Sequence, residues 1–142
     1  MIVADTNVVS ELMRDVPDEA VVAWSTTLGP ADVGITAITV QDVEFGLARL
    51  PAGRRRTSLE ERWRTTADAF HEDVLAYDLA AAVAAATLLE SRERLGRPMS
   101  LADAQIAGIC VAGSHVLATR NILDFEHIDG LSVINPFEQR AE

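Results

Sequence analysis

Met1-Ile-Val-Ala-Asp5-Thr-Asn-Val-Val-Ser-Glu11 is the stretch whose reading decides the fold. Ile2, Val3 and Ala4 form a short apolar run without a polar face, the pattern of a strand buried on both sides in a parallel sheet. The run stops at Asp5-Thr6-Asn7, and Val8, Val9, Leu12 and Met13 then recur at helical spacing. A carboxylate where a buried strand hands over to a helix stands at the carboxyl edge of the sheet. Open α/β sheets bind their ligands along that edge.

The same alternation continues down the chain. Asp18 or the turn before it caps a helix through Trp24 and Leu28, ended by Gly29-Pro30. Val33-Gly34-Ile35 is a brief strand, and Thr39-x-x-Asp42 reads as a capping box opening a helix through Leu47. After the break at Pro51-Ala52-Gly53, Arg54 to Asp73 predicts a long polar helix, followed by a third strand at Val74-Leu75-Ala76. Asp78 caps an Ala-rich helix that Gly96 and Pro98 stop, and Ser100 caps another that ends at Gly113. Val116-Leu117-Ala118 is a fourth strand, 119–125 a loop, and Leu131 to Ile134 a fifth strand. The expected class is α/β: three layers, with a short central parallel sheet covered by helices on both faces.

At 142 residues the chain is expected to form a single domain over 1–142 with a sizeable core. The hydrophobic fraction of 49% excludes a disordered chain, and with only 5% aromatics the core must be Ala, Val, Leu and Ile. No leader is expected, because acidic and polar residues appear by position five, and the apolar run from Leu79 to Leu89 is too short to span a bilayer. One cysteine, Cys110, cannot pair internally. A cytoplasmic protein without membrane association is expected. The net charge of −10 argues against a general nucleic-acid coat. All 12 basic residues are nevertheless Arg, and five fall between Arg54 and Arg64. That cluster is either a solvated helix face or a set of phosphate contacts, with Arg54, Arg55 and Arg56 as the candidates.

Four acids stand out. On the helix opening at Thr39, with Val40 taken as the middle of the buried face, Glu44 falls inside that face and Asp42 opposite it. Glu44 is then a buried charge needing a partner or a metal, and Asp42 a surface cap. The helix from Ser100 is apolar nearly all round with Asp103 as its only charge; Asp103 is a capping-box acid, a ligand, or both. Asp124 and Asn121 lie in the loop after the fourth strand, as turn formers or as further oxygen donors. Carboxylates without Cys or His at one strand edge suit a hard cation such as Mg²⁺ or Mn²⁺, and metal-assisted phosphodiester hydrolysis is the implied chemistry.

The segments Ile-Val-Ala-Asp5-Thr-Asn-Val-Val-Ser-Glu, Val-Gln-Asp-Val-Glu44-Phe-Gly-Leu, Ser-Leu-Ala-Asp103-Ala-Gln-Ile-Ala and Ala-Thr119-Arg-Asn121-Ile-Leu-Asp124-Phe together resemble the PIN domains, in particular the VapC/FitB type of toxin–antitoxin ribonuclease. The resemblance extends over almost the whole chain. It implies a Mg²⁺-dependent endoribonuclease (with Mn²⁺ able to substitute) in which Asp5, Glu44 and Asp103 hold the ion and activate a water. It implies that Thr6 lines the pocket and Thr119 supports the loop. Many members carry Asp where this chain has Asn121, with Asp124 as the candidate substitute. Also implied are an RNA substrate, a homodimer, and a VapB-like antitoxin that inserts a basic side chain among the acids and carries operator-DNA binding for the complex.

Two other readings compete. One is a catalytically inert module of the same fold whose acidic groove binds an Arg-bearing antitoxin peptide. The other is an aspartyl-phosphate phosphatase, which needs a second Asp two residues after the first, where this chain has Asn7. His71, His115 and His127 are expected at the surface, Cys110 in the core, and Trp24, Trp63 and Phe70 in helix packing.

Overall fold

The structure, a computed structural model, describes residues 1–70 and 74–138. Strand β1 (Ile2–Ala4) pairs in parallel with β2 (Val33–Gly34) on one side and β3 (Val116–Ala118) on the other. Strand β4 (Ser132–Ile134) extends β3, giving the order β2-β1-β3-β4. Helices α1 (Thr6–Leu12), α2 (Glu19–Thr26), α3 (Ala37–Ala48) and α4 (Arg54–Phe70) precede α5 (Leu79–Arg94) and α6 (Leu101–Gly113). A 3₁₀ turn at Ile122–Phe125 separates β3 from β4.

Successive residues of a strand point to opposite faces, and β1 shows it. Ala4 enters a core with Val8, Val9, Val21, Val43, Leu47, Trp63 and Phe70, while Val3 enters a second core with Ile106, Cys110, Leu117 and Phe125. The sheet is thus sandwiched between α1–α4 and α5–α6, as the apolar run at 2–4 predicts. In the second core α5 and α6 come close enough that a Cβ at Gly108 would lie 2.5 Å from the Ala81 carbonyl oxygen. Only glycine permits that approach.

Asp18, Asp78 and Ser100 cap α2, α5 and α6 as expected, accepting from Ala20 N, Ala81 N and Asp103 N respectively. Helix α3 begins earlier than its sequence suggests. Thr36 is its cap, accepting from Thr39 N at 3.1 Å, so Thr39 lies inside the first turn rather than outside it. The strand expected at 74–76 shrinks to one parallel bridge between Thr36 and Leu75. Val74 and Ala76 are exposed and Asp78 opens α5 directly afterwards, so the segment has no length to extend a ladder. The end of the polar helix at 71–73, with His71, lies outside the described residues. Among the described residues no helix is long and apolar enough to cross a membrane.

After β1 the chain crosses to β2, and after β3 it moves the other way to β4. The strand order therefore reverses between β1 and β3, the place where α/β sheets open a ligand crevice.

Candidate active site

Asp5 and Thr119 end β1 and β3 side by side, tied by the Asp5 N–H to the Ala118 carbonyl at 2.9 Å. Asp5 is 4% exposed. One carboxylate oxygen accepts from Thr6 N at 2.8 Å, capping α1, and the other accepts from Thr119 Oγ1 at 2.7 Å and Asn7 Nδ2 at 3.2 Å. Thr119, fully buried, donates its proton to Asp5 and accepts from Asn7 Nδ2 and Asn121 N. Asn7 Oδ1 accepts from Arg120 N at 3.1 Å, which stitches the start of α1 to the loop after β3. Burial pushes the Asp5 carboxyl above its ordinary range despite the Thr119 and Thr6 bonds, and the negative charges of Asp103 and Asp42 add to the rise.

Two further carboxylates share the crevice. Asp42, half-buried in the second turn of α3, accepts from Thr6 Oγ1 at 3.1 Å. Asp103, in the first turn of α6, uses its backbone N–H on Ser100 Oγ and leaves its carboxylate in the groove. Its carboxyl is also raised: by burial first, then by Asp124 and Asp42, against the lowering effect of Ser100. The groove encloses about 580 Å³, and Glu11, Arg14, Arg120 and Asn121 complete its wall.

Asp5, Asp103, Thr6, Thr119 and Asn121 thus gather where the sequence led us to expect them. Glu44 does not. It is exposed on α3 and accepts from Trp63 Nε1 at 2.9 Å, in a separate groove with Arg56, Glu60 and Arg64. Residues two apart on a helix differ by about 200°, so Asp42 and Glu44 cannot face the same crevice. The buried stripe runs through Thr39, Val43 and Leu47 rather than through Val40, which puts Asp42 on the sheet-edge side and Glu44 on the α4 side. Asp42 is a groove acid, not a surface cap. Asp124 is exposed outside the groove, because Phe125 takes the buried side of the 3₁₀ turn, though its charge reaches Asp103.

The arginine cluster divides. Arg54 and Arg55 line a basic groove with Arg14 and Arg62, whereas Arg56 turns to Glu60 at 2.7 Å and faces the Glu44 groove. Asp42, expected as a surface cap, and Asn7, Arg14, Arg120 and Glu11 carried no expected role in the groove. Glu11 is 6% exposed and paired with Arg14 at 3.1 Å. Its position three residues after Val8 on the apolar face of α1 was the available signal.

All groove donors are oxygens, the set a hard cation takes. Among the described residues no three acidic, His or Cys side chains form a ready-made metal cage. Mg²⁺ needs none, since it keeps several waters and takes one or two carboxylates directly. The like-charge contribution to the raised carboxyls of Asp5 and Asp103 is the strain a cation would relieve. The residues fit such an ion.

Among the residues expected elsewhere, Trp63 and Phe70 are buried and Trp24 packs against the same core. Burial, with the Asp5 charge, pushes the Cys110 thiol up to about 12, so it stays an inert core thiol. His127 is exposed, whereas His115 is half-buried over Gly113, and its buried Nδ1 finds no hydrogen-bond partner among the described residues.

A family model of the PIN domain matches residues 2–131. The chain is 41% identical over 139 residues to a VapC ribonuclease of Sinorhizobium fredii, covering 97% of this chain and 99% of the relative. It is 35% identical over 138 residues to toxin FitB of Neisseria gonorrhoeae, covering 96% and 99%. Among solved structures, that of FitAB bound to a DNA fragment superposes with a TM-score of 0.86 at 32% identity, over 99% of each chain.

Proposed function

This chain belongs to the PIN-domain family, among its VapC and FitB toxins, and from that premise we propose that it is the endoribonuclease toxin of a toxin–antitoxin pair, dependent on Mg²⁺ or Mn²⁺. The observation that carries the reading is one groove at the switch point of the sheet that gathers Asp5, Asp42 and Asp103 from three separate elements. These three would hold the ion, with Asp42 in the role the sequence assigned to Glu44. When bound, the ion supplies a Lewis acid at a phosphoryl oxygen and a more acidic water.

The chain's own residues do the rest. Thr119 and Asn7 hold the Asp5 carboxylate to one orientation, and Thr6 does the same for Asp42. Asp103, in the first turn of α6 with its carboxylate in the groove, would take the proton of the attacking water. Arg54 and Arg55 contact phosphates of the strand beyond the groove. The partners are RNA, a second copy of the chain and a VapB-like antitoxin, with operator DNA bound only through the antitoxin complex. The FitAB–DNA structure supports that last point. The protein acts in the cytoplasm as a single domain.

The lack of a ready-made three-acid cage among the described residues favours a second reading, an inert module that binds an Arg-bearing antitoxin peptide. Calorimetric titration of Mn²⁺ with and without nucleotide, beside cleavage of a mixed RNA pool, separates the two. The nuclease reading expects binding and cleavage by the native protein, lost in Asp5→Asn and Asp42→Asn and kept within a few-fold in Glu44→Gln. Absence of both metal binding and cleavage in the native protein would leave the peptide-binding module.

A further inference from the structure

Four carboxylates line the groove, on a chain of net charge −10, so a phosphodiester entering it meets strong repulsion. Two arginines that line the same groove oppose that field. Arg14 follows the end of α1 and is 68% exposed. Its Nη1 alone serves both oxygens of buried Glu11, at 3.3 and 3.1 Å, and its Nε and Nη2 make no bond among the described residues. Arg120 has its backbone held by Asn7, and its guanidinium lies over the Phe137 ring, 4.4 Å from the centroid, without an ion pair among the described residues. Each side chain is anchored on one side and keeps N–H donors for another partner. A planar fork on a fixed support matches a phosphate bidentately.

Sheet order sets the two apart. Arg14 shares an adjoining pocket with Asp42 and Val43 of α3, which follows β2, and also lines the groove of Arg54 and Arg55. Arg120 follows β3 and stacks on Phe137, which follows β4. With the order β2-β1-β3-β4, they flank Asp5 from opposite sides. We propose that Arg14 and Arg120 form a two-sided clamp on the phosphates flanking the scissile bond of one RNA strand, with Glu11 and Phe137 as the positioning residues that hold the clamp open. The proposal rests on the nuclease reading for its substrate, though the clamp itself needs no metal.

The test is the binding of a fluorescently labelled single-stranded RNA in EDTA, by anisotropy, over a range of salt. Each phosphate contact contributes a slope of about −0.7 in log K against log salt for single strands. Arg14→Gln and Arg120→Gln should each flatten the slope by about 0.7 and the double variant by about 1.4. Arg14→Lys and Arg120→Lys keep the charge and should restore the slope, which a purely structural role would not predict. The lysine variant also covers any misfolding caused by leaving Glu11 unpaired. Arg94→Gln, on α5 and paired with Glu90, is the control that should change nothing. If both glutamine variants bind with the native affinity and slope while the native protein cleaves RNA, the clamp is wrong and the nuclease stands. Flattened slopes in a protein that never cleaves with metal keep the clamp and remove the nuclease. A native protein that binds no RNA overturns both.

Discussion

Replacing Asp103 by Asn should make the metal-free protein more stable at neutral and alkaline pH, although it removes an acid from a helix start. The Asp103 carboxyl is raised by burial and by the charges of Asp124 and Asp42, so its ionised form is worse tolerated in the fold than in the unfolded chain. Below the ordinary carboxylate range both states are protonated and the penalty is absent. It grows as pH rises through the raised value and is complete above it. Asn is nearly isosteric and keeps the backbone bond to Ser100. It forfeits the attraction of a negative charge to the helix N-terminus, about 0.3–1 kcal/mol. Against that, each like-charge neighbour at a partly exposed site costs on the order of 1 kcal/mol, and Asp103 has Asp42 and Asp124 beside it and itself raises Asp5. A net gain of about 1 kcal/mol should lift Tm by roughly 3–4 °C in a domain of this size. Thermal melts in EDTA at about pH 8 and about pH 3 measure it, with the gain expected only at the higher pH. Excess Mg²⁺ should invert the order, since a ligand at a hundred times its Kd stabilises the native protein by about 2.7 kcal/mol. A mutant clearly less stable than wild type in EDTA at the higher pH would show that capping outweighs repulsion and refute the reasoning.

Thr119→Val removes a 2.7 Å bond from a buried carboxylate without changing volume, and should cost about 1–3 kcal/mol in chemical denaturation. Because Thr119 provides the largest effect that lowers the Asp5 carboxyl, the acid limb of any cleavage profile should also shift to higher pH; an unmoved limb would separate Asp5 from the titration. Gly108→Ala drives a methyl against the Ala81 carbonyl and the Ala85 amide of α5, and denaturation should register a loss of about 1–3 kcal/mol. Gly46→Ala is the opposite case: nothing lies within 4 Å of the new methyl in mid-helix, so the same measurement should find a gain of about 0.5–1 kcal/mol.

Much of the fold was legible because its signals are local. The apolar run at 2–4, the caps at Asp18, Asp78 and Ser100, and the stop at Gly96 each involve residues close in the chain, and each recurs in the structure. Asp5 was legible for the same reason, since a strand-to-helix junction fixes where its side chain goes. The strand at 74–76 failed because pairing depends on a distant partner, Thr36, and on how soon the next cap begins.

The acids of the groove divide along the same line. Sequence alone determined that Asp5 and Asp103 stand at element starts on the carboxyl edge of a parallel sheet. Only the tertiary structure decided between Asp42 and Glu44. Both lie on one short helix, flanking its buried stripe, and local pattern leaves the rotation of that helix about its axis poorly defined when Thr39 is buried and Phe45 exposed. What sets the rotation is packing: Val43 and Leu47 against the core, and the Trp63 indole from α4 accepted by Glu44. The two carboxylates stand about 160° apart around the helix axis, so which one reaches the crevice follows from the helix rotation, a property of the assembled layers rather than of the helix sequence.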